Sequence, residues 1–304
     1  MHRELTSFLH IESYSAFLFA GFLFGHLLAR WHARRQGIEP RHIDNLTLLI
    51  AISSLFGARL FSWVFYQKPG TSVLENFKLW GGGGLVFYGG MLGGAACGVV
   101  YALVTRRSFG KLADVYAPSL ALGLAFGRIG CFMAGCCWGD VCAPDAVADL
   151  SPESHHQIAT IPWLSPARFP LAVTFPPDTG AYQQHRRLGL IAEAAPRSLP
   201  VHPAQLYEAI LVFVLCAWLH RALRRVHLPG EILARFGMGY GAIRFGVEFL
   251  RADNPPLYAG MTLSQVISLL VGLLSLAFLL QKWATPSPTV VPAHEKIHPS
   301  GIEA

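Results

Sequence analysis

The sequence predicts an all-α polytopic integral membrane protein with about seven transmembrane helices. The 304 residues are 53% hydrophobic and 14% charged, which is too apolar for an ordinary soluble protein. The chain also contains seven apolar stretches, and each approaches the roughly 20 residues that a helix needs to cross a bilayer. They are residues 14–30, 45–66, 85–104, 115–138, 205–221, 231–250 and 261–281.

Basic residues in the short connections predict the orientation. The connections after the first, third and fifth stretches contain four, three and three arginines or lysines, whereas those after the second and sixth contain three together. Because short loops rich in lysine and arginine stay in the cytoplasm, we expect the N-terminus outside and the C-terminus inside. These anchors account for most of the net charge of +6, so the charge does not indicate nucleic-acid binding.

Two segments interrupt or follow the apolar stretches. Residues 139–204 are rich in proline and polar residues, and we expect an extracytoplasmic insert there, either a loop or a small head domain. Residues 284–304 have the composition of a disordered cytoplasmic tail. Residues 1–283 then make one transmembrane domain that carries the function.

Charged side chains inside the apolar stretches mark the candidate site. They are Arg59, Arg128, Arg244 and Glu248. An ionisable residue at membrane depth is costly and usually serves a function. The predicted orientation places all of them toward the outer leaflet of the bilayer. Guanidinium groups bind phosphate in a bidentate manner, so a lipid phosphate is the expected ligand.

Further polar residues fall at the same depth, near the outer ends of the helices. They are Tyr14, Tyr88, His202, Gln205, Tyr207, Glu208 and Tyr240. Tyr240, Arg244 and Glu248 are four residues apart and share one helix face. We expect these groups to converge, and we expect nothing comparable at the inner end apart from anchoring residues and Asp44.

Several of these residues also have a structural interpretation. Arg59 is close enough to the surface to extend its charge into water, and Glu248 can simply neutralise Arg244. Tyr14 and Tyr88 suit the aromatic belt at the membrane interface. These alternatives leave the functional roles of the four residues open.

Arg128 is the hardest of these residues to explain by structure alone. It lies between Gly127 and Gly130, and glycine lets another backbone or a ligand approach closely. His202, in contrast, precedes Pro203 and suits a helix cap. We therefore favour a functional role for Arg128 together with Arg244.

Four of the six cysteines cluster near the outer end of the fourth stretch, at positions 131, 136, 137 and 142. A metal site is conceivable, but the spacing matches no common zinc pattern and no histidine is near. Packing, or a disulfide on the oxidising side of the membrane, is the favoured interpretation. We therefore assign no metal and no cofactor.

Several motifs resemble those of the bacterial prolipoprotein diacylglyceryl transferases, over roughly residues 11–281. GRIGCFMAGCCWG at 127–139 is similar to the family's Gly-Arg-x-Gly-Asn-Phe, followed by Asn-x-Glu and a closing glycine. HPAQLYE at 202–208 and YGAIRFGVEFLR at 240–251 resemble two further motifs. GGLVFYGGMLGG at 83–94 matches the glycine-flanked aromatic segment.

The resemblance implies a reaction and several residue roles. The family transfers an sn-1,2-diacylglyceryl group from phosphatidylglycerol to the lipobox cysteine of prolipoprotein signal peptides, at the outer leaflet of the bacterial inner membrane. Arg128 and Arg244 would bind the phosphate and the leaving group, and Glu248 would orient an arginine or form a gate. Tyr88 or His202 would take part in proton transfer. The other expected substrate contacts are Tyr14, Arg59, Gln205, Glu208, Tyr240 and Gly139.

The chain also departs from the family pattern. Cys131 and Ala134 stand where the motif has asparagine, and Cys136 stands where it has glutamate. Two alternatives therefore remain: a divergent paralogue that acts on another acceptor, and a non-catalytic membrane protein that binds phospholipid. A transporter is less favoured, because the sequence has no internal repeat.

Overall fold

The computed structural model describes residues 13–66, 86–142, 169–225, 227–254 and 260–284. Within these ranges the regular structure consists of eight helices and no β-strand, which confirms the all-α prediction. The helices are α1 (Ser13–Arg35), α2 (Pro40–Tyr66), α3 (Phe87–Val104), α4 (Phe109–Ala134), α5 (Gly180–Arg187), α6 (Ala204–Ala222), α7 (Glu231–Glu248) and α8 (Leu263–Ala284).

Four of the described helices, α2, α4, α6 and α8, are long and apolar enough to cross a membrane. Helix α3 is a shorter apolar helix. Their outward faces carry large apolar side chains such as Leu48 and Ile52 on α2 and Leu273 and Leu274 on α8, all more than half exposed. An apolar surface of this extent suits lipid rather than water, so the fold is that of a multi-pass membrane protein.

Helix α4 is the centre of the bundle. It packs against α1, α3, α6 and α7. Its buried alanines, including Ala117, Ala121 and Ala125, meet Leu215 and Leu219 of α6 in the main apolar core. Small residues let membrane helices approach closely, which matters because burial of apolar surface does not drive association within lipid.

Helices α2 and α3 form a second close pair through glycine. A Cβ atom on Gly89 would overlap the carbonyl oxygen of Gly57, and one on Gly93 would lie 3.2 Å from the carbonyl carbon of Ser53. Only glycine permits such an approach of two backbones. This pair carries Arg59 on α2 and Tyr88 on α3.

Helix α4 ends earlier than the sequence predicted. Gly135 adopts a left-handed conformation with φ +67°, and its N–H donates to the carbonyl oxygen of Phe132 at 3.2 Å. Glycine at this position is the usual stop signal of a helix. The predicted stretch 115–138 was therefore wrong in its last four residues, and the chain turns back after Ala134.

The described part of residues 139–204 has a small core of its own. Val141, Phe175, Ala181 and Val201 pack together there. Isolated backbone bridges pair Val201 with both Val141 and Val173. Residues 143–168 of the predicted insert and residues 285–304 of the predicted tail lie outside the described residues.

Candidate functional site

Glu208 connects two arginines from different helices. Its Oε2 atom lies 2.9 Å from Arg128 Nε and 3.6 Å from Arg244 Nη1. The other carboxylate oxygen accepts a hydrogen bond of 3.1 Å from the Tyr240 hydroxyl. The three helices α4, α6 and α7 therefore meet at one buried carboxylate. From the sequence, Glu208 was expected among the polar residues that converge near the outer helix ends and as a substrate contact, but its central position between two arginines was not predicted.

Arg244 has a second acidic partner on its own helix. Its Nη1 lies 2.7 Å from Glu248 Oε2, and its Nη2 donates to the Ser264 hydroxyl at 3.1 Å. The ion pair that the sequence offered as a structural alternative for Glu248 is thus present. It does not exclude a functional role, because the same guanidinium also faces Glu208.

Glu248 is fixed from its other side by the start of α8. Its Oε1 accepts hydrogen bonds of 2.7 Å from the Thr262 hydroxyl and from Asn254 Nδ2. Thr262 also caps α8, since its hydroxyl accepts from Gln265 N at 3.2 Å while Gln265 Oε1 accepts from Thr262 N at 2.9 Å. This reciprocal capping box was readable from Thr-x-x-Gln, but its contact with Glu248 was not.

The charges of this site are arranged in layers. The side chains of Arg128 and Arg244 are 16% and 11% exposed, whereas those of Glu208 and Glu248 are 2% and 0% exposed. The carboxylates are therefore buried more deeply than the guanidinium groups that they contact. Such an arrangement suits the binding of an additional anion, because the carboxylates orient guanidinium groups whose side chains keep part of their surface exposed.

Gln205 and His202 lie at the start of α6. Gln205 Nε2 donates to the carbonyl oxygen of Cys136 at 2.6 Å, which links α6 to the turn after α4. His202 Nδ1 lies 3.2 Å from the Tyr207 hydroxyl, and its ring packs on Phe169 with centroids 4.5 Å apart. Both residues are almost fully buried.

Gly139 lies where two backbone segments cross. Its N–H donates to the carbonyl oxygen of His202 at 3.0 Å. A Cβ atom there would come within 2.6 Å of the Leu250 carbonyl oxygen and 2.8 Å of His202 Cβ. Position 139 therefore requires glycine for backbone packing alone, apart from its expected contact with substrate.

The remaining predicted residues divide into two groups. Tyr14 is beside the end of α4, because a Cβ atom on Gly130 would lie 3.2 Å from Tyr14 Cδ2. Arg59 and Tyr88 belong to the α2–α3 pair and are half-buried there. The structure thus gathers the motifs of α4, α6 and α7 at one end of the bundle, with Tyr14 adjoining them.

Arg251 follows α7 and completes the ionic network. Its Nε and Nη2 atoms donate to the two carboxylate oxygens of Asp253, both at 2.8 Å, and its Nε lies 3.8 Å from Glu248 Oε2. The fork-to-fork pairing with Asp253 fixes this guanidinium. Asp253 and Asn254 were not found from the sequence, because both follow the last periodic residue of the helix.

Comparison with known proteins decides the family. A family model described as "Prolipoprotein diacylglyceryl transferase" matches residues 3–281, which is nearly the whole chain. The chain belongs to the prolipoprotein diacylglyceryl transferase family. The resemblance inferred from the motifs is therefore confirmed.

Individual relatives agree with this membership in the transferase family. A protein of Paraburkholderia phymatum is 34% identical over 250 residues, covering 78% of this chain and 76% of that protein. One of Proteus mirabilis is 30% identical over 290 residues, covering 91% and 90%. One of Clostridium tetani is 28% identical over 263 residues, covering 86% and 89%. All three are named phosphatidylglycerol–prolipoprotein diacylglyceryl transferase.

The three motifs that carry the transferase resemblance supply one site. The first contributes Arg128, the second contributes Glu208, and the third contributes Tyr240, Arg244 and Glu248. These residues are separated by up to 120 positions in the chain, so only the packing of α4, α6 and α7 brings them together. The six cysteines that the structure describes carry no disulfide.

Proposed function

We propose that this chain transfers an sn-1,2-diacylglyceryl group from phosphatidylglycerol to the lipobox cysteine thiol of prolipoproteins, the first step of bacterial lipoprotein maturation. Family membership and the names of the relatives support the reaction. The observation that assigns the reaction to this site is the pair of guanidinium groups, Arg128 and Arg244, that both contact the buried carboxylate of Glu208.

Arg128 and Arg244 would bind the phosphodiester of the lipid. In the reaction the acceptor sulfur forms a bond to the diacylglyceryl carbon, the carbon–oxygen bond breaks, and its electron pair leaves on glycerol phosphate. The leaving phosphate gains negative charge in this step. Oriented guanidinium groups in a site with little water stabilise that charge most strongly in the transition state.

Glu208 and Glu248 act as positioning residues in this proposal. Each holds a guanidinium, so the arginine fork keeps its direction before and after the lipid binds. Tyr240 donates to Glu208 and fixes the carboxylate in turn. A bidentate site depends on such support, because a small change of angle loses one of its two hydrogen bonds.

The acceptor must lose its proton, because the thiolate is the nucleophile. His202 is one candidate for this transfer, and its contact with Tyr207 orients the imidazole. Tyr88 is the other candidate from the sequence. Tyr14, Arg59, Gln205 and Gly139 are proposed as further substrate contacts.

We also propose seven membrane spans, with the N-terminus outside, the C-terminus inside and the site toward the outer leaflet of the bacterial inner membrane. The helix ends opposite the site support this orientation. Gln36 after α1 donates to the Leu223 carbonyl at 2.8 Å, and Arg107 after α3 lies 2.7 Å from His42 Nε2. The arginine-rich connections thus share one end of the bundle, as the positive-inside rule requires.

The same topology makes residues 139–204 an extracytoplasmic insert and residues 284–304 a cytoplasmic tail, with residues 1–283 as the transferase domain. The insert would then cover the end of the bundle that holds the ionic site. A head in this place suits the admission of a signal peptide from the outer face of the membrane.

A divergent paralogue that acts on another acceptor is the second candidate. The observation that favours it is the replacement of polar signature residues by Cys131 and Cys136, close to Arg128. A protein that only holds phospholipid is the third. All three share the phosphate site and differ in what happens after the lipid binds.

The deciding experiment uses the purified chain in detergent with phosphatidylglycerol and a synthetic lipobox peptide. Mass spectrometry should find a diacylglyceryl group on the peptide cysteine together with released glycerol phosphate. Arg128→Ala should reduce turnover at least about 100-fold, the usual effect of losing one oriented donor to a developing anion. Arg235→Ala is the matched control, because Arg235 pairs with Glu231 on the same helix α7 at its other end.

Each outcome of this experiment is decisive. Turnover that vanishes in Arg128→Ala and persists in Arg235→Ala supports the transferase. Folded protein that binds phosphatidylglycerol but modifies no peptide contradicts it, and leaves the paralogue or the lipid-binding protein.

A further inference from the structure

Three cysteines meet where α4 ends. Cys131 lies in the last turn of the helix, and Cys136 and Cys137 follow the left-handed Gly135. Cys137 is itself at φ +63°, an uncommon conformation for a residue other than glycine. The two turns bring the chain back on itself, so that the three Sγ atoms all lie within 4.8 Å of one another.

This separation is close to the one a metal ion needs. Zinc–sulfur bonds of about 2.3 Å in a tetrahedral site place the sulfurs about 3.8 Å apart. The described thiols therefore need to move together by about 1 Å at most, which a small side-chain rotation supplies. The spacing Cys-x₄-Cys-Cys matched no common zinc pattern in the sequence, because it is the turn at Gly135 that gathers the ligands.

The loop that carries these thiols is held in place by hydrogen bonds. Cys136 N donates to the Cys131 carbonyl at 3.1 Å, and Gln205 Nε2 donates to the Cys136 carbonyl at 2.6 Å. Ligands that are oriented before the metal binds raise the affinity of a site. Cys142 does not belong to this group, because only the Sγ atoms of Cys131, Cys136 and Cys137 all lie within 4.8 Å of one another.

Two nearby cations favour a thiolate at Cys137. The guanidinium groups of Arg128 and Arg251 both act electrostatically on Cys137. Metal binding requires deprotonated cysteine, and neighbouring cations favour that form. Thiolates in turn prefer soft or borderline metal ions to calcium or magnesium.

We propose that Cys131, Cys136 and Cys137 bind one zinc ion through three thiolates. Three protein ligands leave the fourth position of tetrahedral zinc for an exogenous ligand, as in catalytic sites. Cys131 follows Arg128 by three residues on the same helix, so the two side chains are neighbours on its surface. The zinc site thus adjoins the proposed phosphate site.

The identity of the fourth ligand rests on the proposed function. The acceptor there is a thiol, and a thiol that coordinates zinc is deprotonated. Its proton passes to water, and the bound sulfur then attacks the diacylglyceryl carbon while the carbon–oxygen electron pair leaves with glycerol phosphate. The zinc ion supplies the activated thiolate, and Arg128 stabilises the leaving phosphate.

Metal content tests the site itself. The full chain is purified in detergent, loaded with zinc and dialysed to remove unbound zinc. Elemental analysis by mass spectrometry should then find about one zinc per chain, as a single structural or catalytic site requires. Cys131→Ser, Cys136→Ser and Cys137→Ser should each lose most of it. Cys97→Ser on α3 and Cys216→Ala in the core are the matched controls and should keep it, with helicity checked by circular dichroism throughout.

Three results would overturn the zinc site. The first is no retained zinc in folded protein, and the second is equal zinc in the three serine variants and the controls. The third is a disulfide among the three cysteines, found by alkylation and mass spectrometry of protein kept at the redox state of its membrane.

Cobalt tests the fourth ligand without relying on turnover. When a lipobox peptide is added, its thiolate becomes the fourth sulfur ligand beside the three of the protein. The sulfur-to-cobalt charge-transfer absorption of cobalt-loaded protein should then increase by roughly a third. A peptide with serine in place of the cysteine should give no gain. An unchanged spectrum with the cysteine peptide would overturn thiol coordination but leave the zinc site.

Turnover separates this proposal from the proposed function. Zinc-free protein that transfers diacylglyceryl at the normal rate would overturn thiol activation and support the transferase. A thiol-dependent cobalt spectrum in a protein that never transfers the group would support thiol coordination and overturn the transferase.

Discussion

Each end of the bundle has a buried acid that contacts α7 from a neighbouring helix, and these two acids, Asp114 and Glu208, are held differently. At the end opposite the site, Asp114 accepts hydrogen bonds from the backbone N–H groups of Gly230 at 2.7 Å and Leu233 at 2.9 Å. At the other end, Glu208 faces Arg128 and Arg244 instead. Asp114 thus satisfies the start of α7, where the helix dipole also favours a negative charge.

The difference indicates which buried charge is available for function. Asp114 accepts from backbone N–H groups that cannot turn toward a ligand and lies 3.7 Å from His227 Nε2, so we assign it a structural role. Guanidinium groups keep donors that an incoming anion can use. The sequence predicted nothing comparable at the inner end apart from anchors and Asp44, and the buried Asp114 corrects that expectation. The two ends still differ, because Asp114 is bonded to backbone N–H groups and Glu208 to arginine side chains.

The largest expected effect comes from neutralising the two acids in turn. Glu208→Gln leaves two guanidinium groups without their shared charge and should destabilise the protein by about 3–5 kcal/mol. It should also lower the turnover of the folded fraction at least tenfold. Asp114→Asn should cost about 1–3 kcal/mol through its backbone contacts and leave turnover per folded molecule unchanged.

Thermal unfolding in detergent and peptide turnover measure the two quantities. The comparison between the ends fails if Asp114→Asn reduces turnover per folded molecule as strongly as Glu208→Gln does.

Arg244→Lys should have the next largest effect. Lysine keeps the charge beside Glu208 and Glu248 but cannot present a planar fork to phosphate. We expect turnover to fall about 10- to 100-fold, in line with the loss of one bidentate contact, and thermal stability to change little. Normal kinetics with phosphatidylglycerol would remove Arg244 from the phosphate site.

Thr262→Val should have a moderate effect. It removes the cap of α8 and one hydrogen bond to Glu248, and the loss of a cap costs about 1 kcal/mol. Because Glu248 orients Arg244, turnover should fall several-fold. Thr262→Ser keeps the hydroxyl and should have normal stability and turnover. A serine variant as impaired as the valine variant would show that loss of the hydroxyl does not explain the effect.

The smallest effect concerns His185 on α5, which lies outside the proposed spans. Burial lowers the pKa of His185 from 6.5 to about 4, and its Nδ1 accepts a hydrogen bond from Leu199 N at 3.2 Å. The neutral ring is therefore the stable form. The contribution of the neutral His185 to the free energy of unfolding is complete above pH 6.5. It is lost as the pH falls toward 4, by about 3 kcal/mol at most.

Hydrogen exchange of residues 169–201 should accordingly rise between pH 6.5 and 4 once corrected for intrinsic exchange, while that of α4 and α6 stays constant. His185→Asn can still accept the bond and should lose this pH dependence. An identical profile in the variant would show that other groups control it.

Periodic apolar stretches and the few charges within them predicted the helices and most of the site. Arg128 and Arg244 were found because charge is rare in such stretches, and Glu208 was found among the polar residues near the outer helix ends, without its ion pairs. The contacts of Glu248 with Thr262 and Asn254 were not predictable, since they depend on how the connection between α7 and α8 folds back. The gathering of Cys131 with Cys136 and Cys137 was missed for a related reason, because it depends on the turn at Gly135.

The backbone crossing at Gly139 has a consequence for how the sequence can change. There, Gly139 N donates to His202 O at 3.0 Å and Asp140 N donates to Leu250 O at 2.9 Å, so the ends of α4, α6 and α7 are tied by main-chain atoms. Main-chain ties do not depend on which side chains surround them. Substitutions at neighbouring signature positions, such as Cys131 and Cys136, therefore leave these main-chain bonds in place, and with them the relative placement of the helices that carry Arg128 and Arg244.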